Sequence, residues 1–174
     1  MHIFLQGPKR VGKSTVIRRT LEVLTAEMPL KIGGFYTWNG GEPDPHIYMK
    51  PAVSSTEEER YCLASYDLDN GGLIGNMEAF EKDGVRILTE SNGAELIIMD
   101  ELGFLEAKAP AFMQAVLDRL AGDVPVLGVL RLGDVPWHQD IKRNPEVAIY
   151  NVNEKNRDTL PQELAALLAS TIRD

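Results

Sequence analysis

A chain of 174 residues with 44% apolar and 25% charged residues predicts one domain, residues 1–174, with a single sizeable core. Its net charge of −8, from 18 basic and 26 acidic residues, argues against broad electrostatic binding to nucleic acid or to an anionic membrane. The lone cysteine, Cys62, excludes an intrachain disulfide and a Cys-rich metal site, and predicts a reducing, cytoplasmic setting. No apolar run approaches bilayer-spanning length, and Met1-His2-Ile3 leads into a strand without a basic-then-apolar leader pattern.

In chain order, Ile3 to Gln6 reads as a buried strand. Lys13 to Glu27 reads as a helix with Ile17, Leu21 and Leu24 on one stripe, stopped at Met28-Pro29. Lys31 to Trp38 is a second strand, Asn39-Gly40-Gly41 a turn, and His46 to Lys50 the returning strand of a hairpin. Pro43, Pro45 and Pro51 predict that this returning strand lies at a sheet edge. Ser54 to Glu59 reads as an exposed loop, Arg60 to Tyr66 as another short strand, and Asp69 to Gly72 as a turn. Together these segments predict an antiparallel meander inserted after the first helix.

Met77, Phe80, Gly84 and Ile87 fit a helical stripe with Asn76 as N-cap, ended by Asn92-Gly93. Glu95 to Met99 is a short apolar strand running into Asp100-Glu101. Pro110 to Leu120 is a helix with proline in its first turn, and Met113, Val116, Leu117 and Leu120 on one face. Pro125 to Leu130 and Val147 to Val152 are strands, and Pro161 to Ile172 is a closing helix. Alternating strands and helices predict an α/β fold: a three-layer sandwich of the P-loop type, with a mainly parallel sheet and the inserted meander.

The stretch with the most chemistry is Gly7-Pro8-Lys9-Arg10-Val11-Gly12-Lys13-Ser14-Thr15, a G-x-x-x-x-G-K-[ST] pattern between a strand and a helix. Gly7 and Gly12 let the backbone wrap around an anion, with successive N–H groups turned toward phosphate oxygens. The following helix adds the positive end of its dipole. Lys13 can reach the β- and γ-phosphates, Ser14 can bind Mg²⁺, and Thr15 can approach the α-phosphate. The competing reading is an ordinary glycine turn. Lys9, Arg10 and Lys13 form a local basic patch that this phosphate site accounts for, although an Arg10 side chain within such a loop often faces solvent.

Leu96 to Glu101 is an apolar strand ending in two carboxylates. In a parallel sheet, ligands bind beyond the carboxyl ends of the strands. Asp100 is thereby expected beside Ser14, sharing its Mg²⁺. Glu101, one residue on, is placed to orient or deprotonate an attacking water. The alternatives are a solvated strand end and a loop-capping carboxylate. Arg131 follows a later strand to the same edge, where it can meet transition-state charge or simply form a surface ion pair. Arg157 can contact a base or a phosphate. Trp137-His138 can stack on a base or fill a loop. His2, His46 and His138 are too scattered for a zinc site.

With these motifs in place, the chain resembles the small P-loop nucleoside-triphosphatase family, broad in nucleotide specificity and also regarded as related to nucleotide kinases. Gly7 to Thr15 matches its phosphate loop, and Gly34-Phe35-Tyr36-Thr37 a second segment. Met77 to Glu81 is similar to Val-Glu-Ala-Phe-Glu, Asp100 to Glu106 to Asp-Glu-Ile-Gly-Lys-Met-Glu, and Asn156 to Pro161 to its closing segment. The resemblance implies Mg²⁺-dependent hydrolysis of nucleoside triphosphates, ATP, GTP or others, to diphosphate and phosphate. This sequence departs from the pattern at three places. Trp38-Asn39-Gly40-Gly41 stands where an arginine is usual, Phe104 where a lysine is, and Leu130-Arg131 where His-Arg is common. If those basic groups hold phosphates, turnover is slower here or the substrate differs.

Hydrolysis competes with two other functions. A nucleotide kinase passing the γ-phosphate to a nucleoside monophosphate usually needs an Arg-rich lid, and the densest arginine pair, Arg18-Arg19, lies on the first helix. The other is a non-enzymatic nucleotide switch; GTP switches often carry Asn-Lys-x-Asp, which this sequence lacks. Hydrolase ranks first, kinase second and switch third. The sequence gives no protein partner.

Overall fold

The computed structural model describes residues 1–53, 59–67 and 71–173. Most of the expected loop at Ser54 to Glu59, and Asp69-Asn70 of the expected turn, lie outside the described residues. Among the described residues fifteen elements follow one another. The first part runs β1 (His2–Gln6), α1 (Lys13–Glu27), β2 (Ile32–Asn39), β3 (His46–Pro51), β4 (Tyr61–Tyr66) and β5 (Leu73–Gly75). A π-helical segment (Ala79–Gly84) then leads directly into α2 (Val85–Glu90), followed by β6 (Leu96–Leu102) and a 3₁₀ turn (Leu105–Lys108). The chain closes with α3 (Pro110–Leu120), β7 (Val126–Leu130), α4 (His138–Arg143), β8 (Val147–Asn151) and α5 (Leu160–Arg173).

The strands form one eight-stranded sheet in the order β5-β4-β3-β2-β6-β7-β1-β8. From β2 to β8 every pairing is parallel, and from β2 to β5 every pairing is antiparallel. The meander is therefore an extension of the parallel sheet through β2, which belongs to both halves.

Both faces of the parallel half are covered, so its strands are apolar at successive positions rather than alternately. Ile3, Leu5, Leu96, Ile98, Leu127 and Val129 face α1 and α5, where they meet Ile17, Leu24, Leu164 and Leu168. Phe4, Phe35, Ile97 and Met99 face the other way, toward Phe80, Ile87, Phe112, Val116 and Ile141. This division follows from the two-residue period of a strand. Asn76 caps the helical stretch that it precedes, accepting the Ala79 N–H on Oδ1 at 3.2 Å.

Three expectations are corrected. β3 is not an edge strand: it pairs with β2 on one side and β4 on the other. Pro43 and Pro45 precede it, and Pro51 takes its last position, so no proline falls in its interior. The strand read as Glu95 to Met99 continues to Leu102, carrying Asp100 and Glu101 within it. The short elements β5 and α4 are additions to the sequence reading.

Candidate active site

β1, β6 and β7 deliver their carboxyl ends to one edge of the sheet, where a cleft of about 540 Å³ opens. One wall is the glycine-rich loop. Gly7 and Gly12 have φ of 154° and 109°, which L side chains rarely adopt, and a Cβ on Gly7 would stand 2.6 Å from the Val152 carbonyl oxygen. α1 begins at Lys13 with no side-chain cap and no acidic residue in its first turn. Its free N–H groups and positive dipole end therefore face the cleft. Lys13 Nζ donates to the carbonyls of Gly7 and Pro8, at 2.9 Å each. Burial lowers the Lys13 pKa, partly opposed by the charges of Glu101 and Asp100.

The facing wall is the end of β6. Its register with β7 shifts between Met99 and Leu102. Strict strand alternation would send adjacent side chains to opposite faces, and an irregularity of this kind re-aims them. Asp100 and Glu101 both line the cleft. Asp100 is 4% exposed, and burial pushes its carboxyl up to about 6. The Ser14 hydroxyl donates to it and pulls the other way, while Glu101 adds to the rise and Lys13 opposes it. The Glu101 backbone N–H donates to Thr37 Oγ1 at 3.0 Å, which ties the carboxylate's main chain to β2.

The sequence-predicted residues converge unevenly. Gly7, Lys9, Arg10, Gly12, Lys13, Ser14 and Thr15 of the loop line the cleft, with Asp100, Glu101 and Arg131. Pro8 and Val11 do not line it; they shape the loop through the Val11 N–H to Pro8 carbonyl bond at 3.3 Å. Arg157 also stands outside, with Nη1 at 3.5 Å from the Val11 carbonyl oxygen and its Cδ near Gly12. Trp137 and His138 are buried, and the Trp137 indole N–H donates to the Gly103 carbonyl at 2.8 Å. Of the two readings given for that pair, filling a loop is the one the fold supports.

Six further residues complete the lining and were given no role from the sequence: Thr37, Trp38, Asn39, Ile47 and Tyr66 of the meander, and Leu132 after β7. Asn39 Nδ2 donates to the Tyr66 hydroxyl at 3.2 Å. Thr37 had a signal in its place in the Gly34-Phe35-Tyr36-Thr37 segment, and Trp38-Asn39 in standing where the family usually has an arginine. The start of that segment has its own physical reason. β2 lies so close to β6 that a Cβ on Gly34, at φ of 89°, would stand 1.9 Å from the Ile98 carbonyl oxygen.

Ser14 and Asp100 bring together one hydroxyl and one carboxylate. Such a set suits Mg²⁺, which binds through one or two protein oxygens and completes its shell with phosphate oxygens and water. Among the described residues no cluster of three His, Cys, Asp or Glu side chains offers an all-protein cage. No helix among them is long and apolar enough to cross a membrane.

A glycine loop opening a helix, facing an acidic strand end across a cleft of this size, defines a nucleotide-binding α/β protein of the P-loop class. The chain belongs to the NTPase family, whose model matches residues 2–165. It is 35% identical over 173 residues to the nucleoside-triphosphatase THEP1 of Methanosarcina barkeri, covering 95% of each chain. It is 26% identical to a cancer-related nucleoside-triphosphatase homolog of Mus musculus, covering 98% of this chain and 97% of that one. Its fold matches the crystal structure of THEP1 from Aquifex aeolicus with a TM-score of 0.77 at 24% identity, covering 97% of this chain and 99% of that one.

Proposed function

We propose that this enzyme of the NTPase family hydrolyses the terminal phosphoanhydride of nucleoside triphosphates, with Mg²⁺ and with broad tolerance of the base. The observation that carries the reading is the convergence of the loop and Lys13, the Ser14–Asp100 pair and Glu101 on one cleft. The loop N–H groups and the start of α1 bind the phosphate chain, and Lys13 leaves its own loop carbonyls for the β- and γ-oxygens. Ser14 and Asp100 would hold Mg²⁺, which supplies charge neutralisation at the phosphate oxygens. Glu101 orients the attacking water and takes its proton, while Thr37 fixes the Glu101 main chain. Arg131, on the same cleft, meets the charge that builds on the transferring phosphoryl group. Arg157, over the back of the loop, is reserved for the part of the nucleotide that leaves the cleft. Base tolerance follows from recognition centred on phosphate, and the lone free cysteine, Cys62, favours a cytoplasmic setting.

Glu101→Gln tests the chemistry apart from binding. Glutamine keeps the size and hydrogen-bonding capacity but is a poor proton acceptor. Single-turnover hydrolysis should fall by about 10²–10⁴-fold at unchanged nucleotide affinity. A loss below about threefold, roughly 0.7 kcal/mol, removes Glu101 from the mechanism. Running the wild type with each nucleoside monophosphate present separates hydrolysis from the kinase reading. Free phosphate is expected, and transfer to the monophosphate without free phosphate would overturn the proposal.

A further inference from the structure

Phe104 is 44% exposed and stands outside the core, against the cleft residue Arg131. The Arg131 guanidinium carbon lies 4.7 Å from the centre of its ring. Three further contacts fix this pair. The Arg131 backbone N–H donates to the Leu102 carbonyl at 2.8 Å, anchoring the end of β7 to the end of β6. The Arg131 stem runs across Gly103, where an added Cβ would lie 3.5 Å from Arg131 Cδ. The Gly103 N–H donates to the buried Glu106 carboxyl at 2.5 Å, which holds the turn carrying Phe104. Among the described residues the guanidinium rests on this ring and makes no ion pair with a carboxylate, although its charge acts on the buried Glu106 carboxyl and Glu101 lines the same cleft.

We propose that Phe104 is a positioning residue that holds Arg131 ready for the γ-phosphate and keeps it from pairing with Glu101. A ring face attracts a guanidinium without neutralising it and without offering it hydrogen bonds. The cation thus stays at the cleft, in a restricted set of rotamers, and the Glu101 carboxylate stays free for water. An ion pair between the two would remove both from the reaction. The proposal rests on the role given to Arg131 above.

The test is steady-state hydrolysis of ATP with Mg²⁺ by wild type, Phe104→Leu, Phe104→Trp, Arg131→Ala and the Phe104→Leu/Arg131→Ala double variant. Leucine keeps apolar bulk and loses the ring face. Phe104→Leu should lower kcat by about two- to fivefold, the size of an exposed cation–π contact, with KM changed less than about twofold. Phe104→Trp should restore wild-type kcat, and Phe104→Leu should cost nothing further once Arg131 is alanine. Equal losses from Phe104→Leu with and without Arg131, a rise in kcat, or no rescue by tryptophan would overturn the proposal. Wild-type kcat in Arg131→Ala would instead overturn the role of Arg131 itself. Thermal melting of each variant separates these outcomes from loss of fold.

Discussion

Glu106→Gln should stabilise the protein relative to wild type as pH rises, and the structure sets the size of the effect. The Glu106 side chain is 3% exposed. Burial raises its carboxyl from the ordinary glutamate value of 4.5 to about 7, with Glu101 adding to the rise. Hydrogen bonds from the Gly103 N–H and its own N–H, and the charge of Arg131, hold it lower than burial alone would. The folded state thus binds this proton more tightly than the unfolded chain does. Below about pH 4.5 both states are protonated and Glu106 costs nothing. Between about 4.5 and 7 only the unfolded chain ionises, so stability falls as pH rises. Above about 7 the folded state ionises too, and the loss levels off. The offset is worth roughly 3 kcal/mol in full, of which roughly 2–3 kcal/mol falls between pH 5 and pH 8. Glutamine cannot ionise, yet its amide oxygen still accepts the Gly103 N–H. Urea unfolding of both proteins at pH 5 and pH 8, without nucleotide, gives the stability difference at each. That difference should move in favour of the variant by roughly 2–3 kcal/mol at the higher pH. A difference that stays constant to within about 1 kcal/mol would refute a proton held by burial.

Three further outcomes follow from the site and the sheet. Lys13→Ala should lose about 10²–10³-fold in turnover, as for other removed transition-state donors, and should bind triphosphate more weakly; wild-type turnover would sink the phosphate-loop assignment. Ser14→Ala and Asp100→Asn should each raise the Mg²⁺ concentration needed for half-maximal activity, and unchanged titrations in both would remove the shared metal. Gly34→Ala should destabilise by about 3 kcal/mol or more in chemical denaturation, because the added carbon meets the backbone of Ile98 and the residue must keep a positive φ.

The elements legible in the sequence are those whose signals are local. α1 runs Lys13–Glu27 and α3 Pro110–Leu120, as read, because a glycine loop starts one, and proline and a following glycine bracket the other. The meander was legible from its turn residues, but the place of β3 within it was not. Proline marks an edge only when it falls inside a strand, and strand limits are what local pattern gives least well. β6 runs one residue past the two carboxylates read at its end, to Leu102. α4 was missed because, of its six residues, only His138 and Ile141 are buried, too few to show a helical period. The same division holds at the cleft. Lys13, Ser14, Asp100, Glu101 and Arg131 come from motif and strand order. Thr37 reaches Glu101 across 64 residues of sequence, and Phe104 meets Arg131 only because β6 and β7 are neighbours. Nothing in the types of those residues signals such contacts before the fold brings them together.

What unites the cleft is that its opposite charges are kept from cancelling. Lys13 is satisfied by the carbonyls of Gly7 and Pro8, and Arg131 by the ring of Phe104. Asp100 takes the Ser14 hydroxyl, and Glu101 is tied through its main chain to Thr37. Lys13, Arg131 and Asp100 are thus each held by a neutral partner, although four cations, Lys9 and Arg10 among them, and two carboxylates line one cleft. The arrangement matters for an anionic ligand. Breaking a direct Lys–Asp or Arg–Glu pair in a partly buried cleft would leave a carboxylate to be compensated, whereas leaving a carbonyl or a ring costs far less. Groups fixed in this way need little rearrangement when phosphate charge arrives, which is the condition under which electrostatic stabilisation is most effective. The neutral partners are in this sense as much a part of the site as the charges they hold.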